Sequence, residues 1–185
     1  MSIVRKEFPV ELREVVLRYR PAHMMEISPK GTVPILVLED GTVIEESLEI
    51  MQHVLDWTLS DEEQHWISRN DEEFKFHLDR YKYPNRYENV DELEQRTAAS
   101  SYLSDLDTRL GEVPAISEPL SEALFPFVRQ FANHDREWFD VQSWSNVHSW
   151  LSNNLNSEAF TTCMKKFKQW VEGHEPVIFE PTWHA

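Results

Sequence analysis

The sequence predicts a small α/β unit over residues 1–58 followed by an all-helical domain over residues 59–185. Runs rich in β-branched residues, with a tight-turn dipeptide between two of them, are concentrated before Leu59. From there to the last few residues, apolar side chains recur at helical spacing. The four glycines, Gly31, Gly41, Gly111 and Gly173, fall at the ends of expected elements. With 185 residues, 41% of them hydrophobic, and with 7 Trp and 10 Phe, the chain has the apolar mass for a packed core, which excludes wholesale disorder.

Val10–Leu17, reading VELREVVL, is partly alternating and predicts a strand. Pro21 opens a short helix through Ala22 to Ile27, and Ser28-Pro29-Lys30-Gly31 breaks it. Val33–Leu38 reads as a buried strand, and Asp40-Gly41 before Thr42–Glu45 marks a hairpin, because Asp-Gly tolerates the positive φ of a tight turn. Leu48, Ile50, Met51, Val54 and Leu55 line one face of a helix that begins at Glu46-Ser47 and ends near Trp57. In the second domain, Asp61–Glu63 opens a helix carrying Trp66, Ile67, Phe74 and Leu78, which the residues before Pro84 end. Four more helices are expected: Val90–Leu110, with Leu93, Ala99, Leu103, Leu106 and Leu110 inward and Gly111 as the stop, then Glu118–Asn133, Trp144–Asn154 and Ser157–Trp170.

Composition excludes several classes of function. With 33 Asp+Glu against 18 Lys+Arg the net charge is −15, a field that repels phosphate backbones and anionic lipid heads, so neither nucleic acid nor a membrane surface is an expected partner. The one basic cluster, Lys165, Lys166 and Lys168, complements the dipole at the end of the last predicted helix. The longest apolar run, Val33–Leu38, is too short to span a bilayer, and Arg5-Lys6-Glu7 interrupts any signal-peptide pattern. The single cysteine, Cys163, excludes an internal disulfide framework and a cysteine zinc site, and mid-helix it reads as a small buried hydrophobe. Together these set the cytoplasm as the expected compartment. No His-Glu-x-x-His, glycine-rich phosphate loop or Gly-x-Ser-x-Gly elbow occurs, Asp71-Glu72-Glu73 lacks the glycine of a calcium loop, and the eight histidines lack ligand spacing, so no metal is expected.

The informative stretch runs from Ser28 to Ser47. A proline opening an apolar strand removes one ladder N–H, and its peptide bond admits the cis form. Glu46-Ser47 at a helix N-terminus combines free backbone donors, a hydroxyl and a carboxylate, a set that can hold the carboxylate and ammonium of an α-amino acid. An ordinary edge strand and N-cap accounts for the same residues.

Lys30-Gly31-Thr32-Val33-Pro34, then Glu46-Ser47, then a helical domain containing Tyr81-Lys82-Tyr83-Pro84-Asn85-Arg86-Tyr87 and Leu124–Phe131 resembles the cytosolic glutathione transferases, and the resemblance covers nearly the whole chain. It implies a thioredoxin-like N-terminal domain, partial here, and the family's helical C-terminal domain. It implies that Val33 pairs its backbone with the cysteinyl unit of glutathione ahead of a cis-Pro34. Glu46 and Ser47 would bind the γ-glutamyl end, and Arg20 would reach the glycyl carboxylate. Tyr81, Tyr83 and Arg86 would line an acceptor pocket, although plain packing, which needs no ligand, is the favoured account of them. A homodimer is implied as well. The activity implied is glutathione transfer to an electrophile or thiol reduction; the alternatives are a non-catalytic binding or dimerisation module and a shortened form of an ordinary transferase.

Two departures from the family pattern stand out. Met1–Phe8 resembles the last turn of the family's first helix, so the strand and most of the helix that carry the catalytic Tyr, Ser or Cys are expected to be absent, and no catalytic residue is assigned. Val10–Leu17 would then lose a neighbour, leaving it disordered or paired across a dimer. Before Leu124, Glu118-Pro119-Leu120-Ser121 lacks the family's capping box, and Ser117 is the substitute cap.

Overall fold

In the computed structural model, which describes residues 1–182, the chain opens with one helical turn, α1 (Ser2–Arg5), whose Val4 is fully buried. Glu7, at φ 51°, turns the chain into β1 (Val10–Glu11). Only these two residues of the expected Val10–Leu17 strand adopt strand structure; the chain continues to a 3-10 turn at Leu17–Tyr19 with Val16 and Leu17 exposed. Helix α2 (Ala22–Ile27) starts directly after Pro21 and stops at Ser28, as its flanking residues predict. The hairpin of β2 (Leu36–Val37) and β3 (Val43–Ile44) pairs Leu36 with Ile44 and Val37 with Val43. At its tip Gly41 takes φ 86°, and the Thr42 amide donates to the Asp40 carboxylate at 2.9 Å, which holds that carboxyl below its usual range. Helix α3 (Ser47–Leu55) ends at a left-handed Asp56 and buries Ile50 and Val54 against Leu36, with Ile3, Phe8, Val10, Leu38 and Ile44 around them.

A second compact unit spans Leu59–Ser157. It opens with a helical run of three parts: α4 (Asp61–Arg69), a π-helical turn at Asn70–Phe74, and α5 (Lys75–Lys82). Ser60 and Glu63 form a reciprocal capping box at its start, and Tyr83-Pro84 ends it. Helix α6 (Glu92–Glu112) is capped by Asp91, whose carboxylate accepts from the Leu93 and Glu94 amides. Ala99, Leu103 and Leu106 are buried as expected, but Leu93, in the first turn of α6, is 56% exposed. Nor does Gly111 stop this helix. It lies within it, and a Cβ there would sit 2.8 Å from Asn146 Nδ2, so the glycine serves a close approach.

Helix α7 (Glu118–His134) is capped by Ser117, whose Oγ accepts from the Leu120 amide at 3.3 Å, so the expected substitute cap is in place. Two further helices follow, α8 (Arg136–Asp140) and α9 (Ser145–Leu155). The N-terminal amides of α9 are capped from outside the helix: Asp107 Oδ1 on α6 accepts from Asn146 at 2.8 Å and Val147 at 2.9 Å. The core of this unit is aromatic. Phe131 sits between Phe74 (5.7 Å), Tyr81 (5.4 Å), Trp138 (6.0 Å) and Phe139 (6.4 Å), and Tyr102 stacks on Phe74 at 4.7 Å.

Burial pushes the Tyr102 phenol pKa up, and the buried hydroxyl has no hydrogen-bond partner among the described residues. An unsatisfied buried donor costs about 1–3 kcal/mol, so Tyr102→Phe is expected to raise stability by about 1 kcal/mol, seen as a higher urea midpoint at unchanged slope. A lower midpoint would show that the hydroxyl is stabilising.

From Glu158 the chain joins the first 58 residues in one compact unit, whereas the sequence suggested that residues 59–185 form one helical domain. Helix α10 (Glu158–Cys163) packs on α1 and is much shorter than the expected Ser157–Trp170. Cys163 is exposed at its end, not buried, and Lys165, Lys166 and Lys168 follow the C-terminus of α10 instead of lying within the helix. The physical reason is pairing: β4 (Ile178–Phe179) runs antiparallel to β1, with Val10 opposite Phe179 and Glu11 opposite Ile178. The Leu12 amide also donates to the Val177 carbonyl at 2.8 Å, and the Trp170 amide to the Glu14 carbonyl at 2.8 Å. Val10 and Glu11 are thus not disordered: one strand edge is taken by an extended segment of the same chain. Among the described residues no helix is long and apolar enough to cross a membrane.

Candidate functional site

The segment between α2 and α3 is tied into a polar network. Ser28, fully buried, donates its hydroxyl to the Glu45 carboxylate and accepts the Gly31 amide on its carbonyl at 3.0 Å. This turn sets the exposed Lys30 ammonium 3.3 Å from Glu46 Oε1 and 3.6 Å from Glu45 Oε2. The hydrogen bond to Glu46, and then the charges of both carboxylates, raise the Lys30 pKa above its ordinary 10.5. A raised lysine pKa means that the interaction is fully present below that ordinary value and is lost as pH climbs through the folded one.

Gly31 adopts φ 62°, and its carbonyl accepts from Arg20 Nε at 2.6 Å. A Cβ at this position would meet Arg20 Nε at 2.9 Å and Met25 Sδ at 3.0 Å, so glycine lets the arginine lie across the turn. Two residues on, the Val33–Pro34 peptide bond is cis, a form the sequence admitted, and Val33 is half exposed. Glu46 caps α3 through its backbone, its carbonyl accepting from the Ile50 amide at 2.9 Å, while its carboxylate reaches Lys30. Ser47 is the exposed first residue of α3. The opening amides of a helix have no intrahelical acceptor and favour a carboxylate, whereas Glu45 and Glu46 favour an ammonium. The combination is complementary to the zwitterionic end of an α-amino acid.

Beside this network lies a cavity of about 1160 Å³ whose walls are mostly apolar. Val10, Leu12 and Val15 stand on one wall, Val33 and Pro34 lead into another that continues through Leu38, and Met24, Ile50 and Trp170 complete it. His23 supplies the one imidazole of the lining, which includes no Ser, Thr, Tyr or Cys among the described residues. No group of His, Cys, Asp and Glu among the described residues is arranged to hold a metal ion.

The structure therefore links Arg20 to Gly31 and Lys30 to Glu46, with Val33, Pro34 and Ser47 close by in sequence. Tyr81, Tyr83 and Arg86 belong to the other compact unit. Tyr81 is buried, its ring 5.4 Å from Phe131 and 4.4 Å from His134, and burial raises its pKa. Tyr83 is exposed, with the Arg86 guanidinium 3.8 Å from its ring centre. Sequence reasoning did not assign roles to Ser28, Lys30, Glu45 or Trp170. Ser28 and Lys30 lay in the segment already singled out, but their bond to Glu45 and salt bridge to Glu46 span 17 and 16 residues, beyond any local pattern.

Residues 3–56 match the family model "Glutathione S-transferase, N-terminal domain". No curated protein matches the chain. Among solved structures the chain is similar to BphK, a bacterial glutathione transferase (TM-score 0.69, 19% identity, 88% of this chain and 90% of that one). It is also similar to a glutathione transferase from Methylococcus capsulatus (TM-score 0.63, 22% identity, 88% and 90%). A third is the glutathione transferase URE2P6 from Phanerochaete chrysosporium in complex with oxidised glutathione (TM-score 0.63, 13% identity, 77% and 76%). At these identities the likeness is one of fold.

Proposed function

We propose that the chain is a glutathione transferase-family protein, a reading supported by the match of residues 3–56 to that family's N-terminal domain and by the shared fold, and that its first unit binds glutathione. Val33 offers its backbone to the cysteinyl unit, Glu46 and Ser47 take the γ-glutamyl ammonium and carboxylate, and Arg20 takes the glycyl carboxylate. The observation that carries the reading is the paired tether of the turn at residues 28–31, Arg20 to the Gly31 carbonyl and Lys30 to the Glu46 carboxylate, because it gathers cationic and anionic groups beside the start of α3. The related URE2P6 structure, which holds oxidised glutathione, is consistent with this ligand.

When transfer occurs, the glutathione thiolate attacks an electrophilic carbon, or one sulfur of a disulfide, and the leaving group departs with the bonding electron pair. Tyr83 and Arg86, exposed and stacked, are the residues we assign to an aromatic acceptor, with Tyr81 serving the core. A second reading, a glutathione-binding module without transfer, is favoured by one observation: the described cavity lining offers no hydroxyl, phenol or thiol to the sulfur. A homodimer, implied by the resemblance, is read from the mass in light scattering.

Thermal unfolding with and without millimolar glutathione tests the binding. Saturation at about 100 times Kd adds ~2.7 kcal/mol, a Tm rise of roughly 5–10 °C for a chain of this size. A cooperative transition with no shift overturns the reading. A chromogenic electrophile added to the bound form separates enzyme from module.

A further inference from the structure

The segment from Lys165 to Thr182 contributes one residue, Trp170, to the wall of the apolar cavity. Trp170 lines that cavity together with Val33 and Pro34. It is held from three sides: its amide donates to the Glu14 carbonyl at 2.8 Å, the Arg13 guanidinium lies 5.0 Å from its ring centre, and the His23 ring lies 6.5 Å away. The rest of the segment is held lightly. The β1–β4 ladder is two residues long, Val171, Val177 and Ile178 are exposed, and Phe167 meets Phe179 edge-on at 5.9 Å. A second cavity of about 330 Å³ is lined by Glu158 and Thr162 of α10 and by Phe167, Phe179 and Pro181 of the segment.

We propose that residues 165–182 form a strap that gates the apolar cavity, with Trp170 as its latch. A segment with one anchored aromatic, a two-residue ladder and little buried apolar surface belongs to the low-stability end of a fold, where local opening precedes global unfolding. Opening releases Trp170 from Arg13 and His23 and exposes the cavity; closing returns it over a bound ligand. The inference rests on the glutathione reading only for the identity of that ligand, since the gate itself is a property of the cavity.

A disulfide lock tests it. Leu12 and Val177 form a hydrogen-bonded pair, so Glu11 and Ile178 occupy the neighbouring non-hydrogen-bonded site, where Cα atoms lie about 4.5 Å apart, within disulfide range. Both side chains are exposed, so Glu11→Cys with Ile178→Cys, in a Cys163→Ser background, leaves the core unchanged. Two probes are used in stopped flow: the apolar dye anilinonaphthalene sulfonate and glutathione. The oxidised chain is expected to bind the dye at least about tenfold more slowly than the same chain reduced with a phosphine, and Trp170→Ala to bind it about fivefold faster than the parent. Equal dye rates in the locked and reduced forms, or no dye binding to the reduced form, overturn the strap. If glutathione binds neither form while the lock slows the dye, the ligand reading fails and the strap stands. If glutathione binds while the lock leaves dye entry unchanged, the strap fails and the ligand reading stands.

Discussion

Phe131→Ala is expected to lower the stability of the Leu59–Ser157 unit by about 3–5 kcal/mol. Phe131 is 1% exposed and its ring lies within 6.4 Å of Phe74, Tyr81, Trp138 and Phe139, which come from the first helical run and α8. Truncation removes the apolar transfer energy of the ring and leaves a cavity that several rigid aromatic neighbours cannot collapse to fill. Urea unfolding followed by near-ultraviolet circular dichroism reads the loss in the aromatic signal directly. A loss below about 1 kcal/mol would mean that the aromatic cluster repacks freely, contrary to the interlocked arrangement described above.

Ser47→Ala is expected to weaken glutathione binding about 10- to 100-fold, the effect of removing one hydrogen bond to a charged group, at 1.5–3 kcal/mol. Ser47 is exposed at the first position of α3, and the helix is entered through the Glu46 backbone without any side-chain cap, so the unliganded chain should unfold at nearly the parent temperature. Calorimetric titration gives the affinity of parent and variant. Equal affinities would remove Ser47 from the site, and a large drop in unliganded Tm would recast it as a structural residue.

Features written in neighbouring residues were legible in advance. Pro21 before α2, Asp40-Gly41 between β2 and β3, and Ser117 before α7 each act through backbone geometry or a hydrogen bond over a few positions, and each does in the fold what its chemistry predicts. The failures share a physical cause in long-range pairing. Val10–Leu17 has the residues of a longer strand, yet its paired length is set by where Phe179 and Ile178 lie, and no local pattern reports that. The apolar and basic residues after Cys163 have helical spacing, but β pairing, the Trp170 latch and the edge of β1 compete with helix for the same backbone groups and win. At the candidate site, the chemistry of Pro34 and Glu46-Ser47 was readable from neighbouring residues, and the family resemblance added the roles of Arg20 and Val33. The network that positions them, Ser28 to Glu45 and Lys30 to Glu46, exists only once the hairpin returns the chain to α3.

The most direct test of glutathione binding by the first unit is a ¹⁵N amide spectrum of the full chain recorded as glutathione is added. The account predicts progressive, saturable shifts at Gly31, Val33, Glu46 and Ser47, with the amides of Glu92–Glu112 unmoved. Unperturbed amides at saturating glutathione, or shifts confined to Leu59–Ser157, would contradict it.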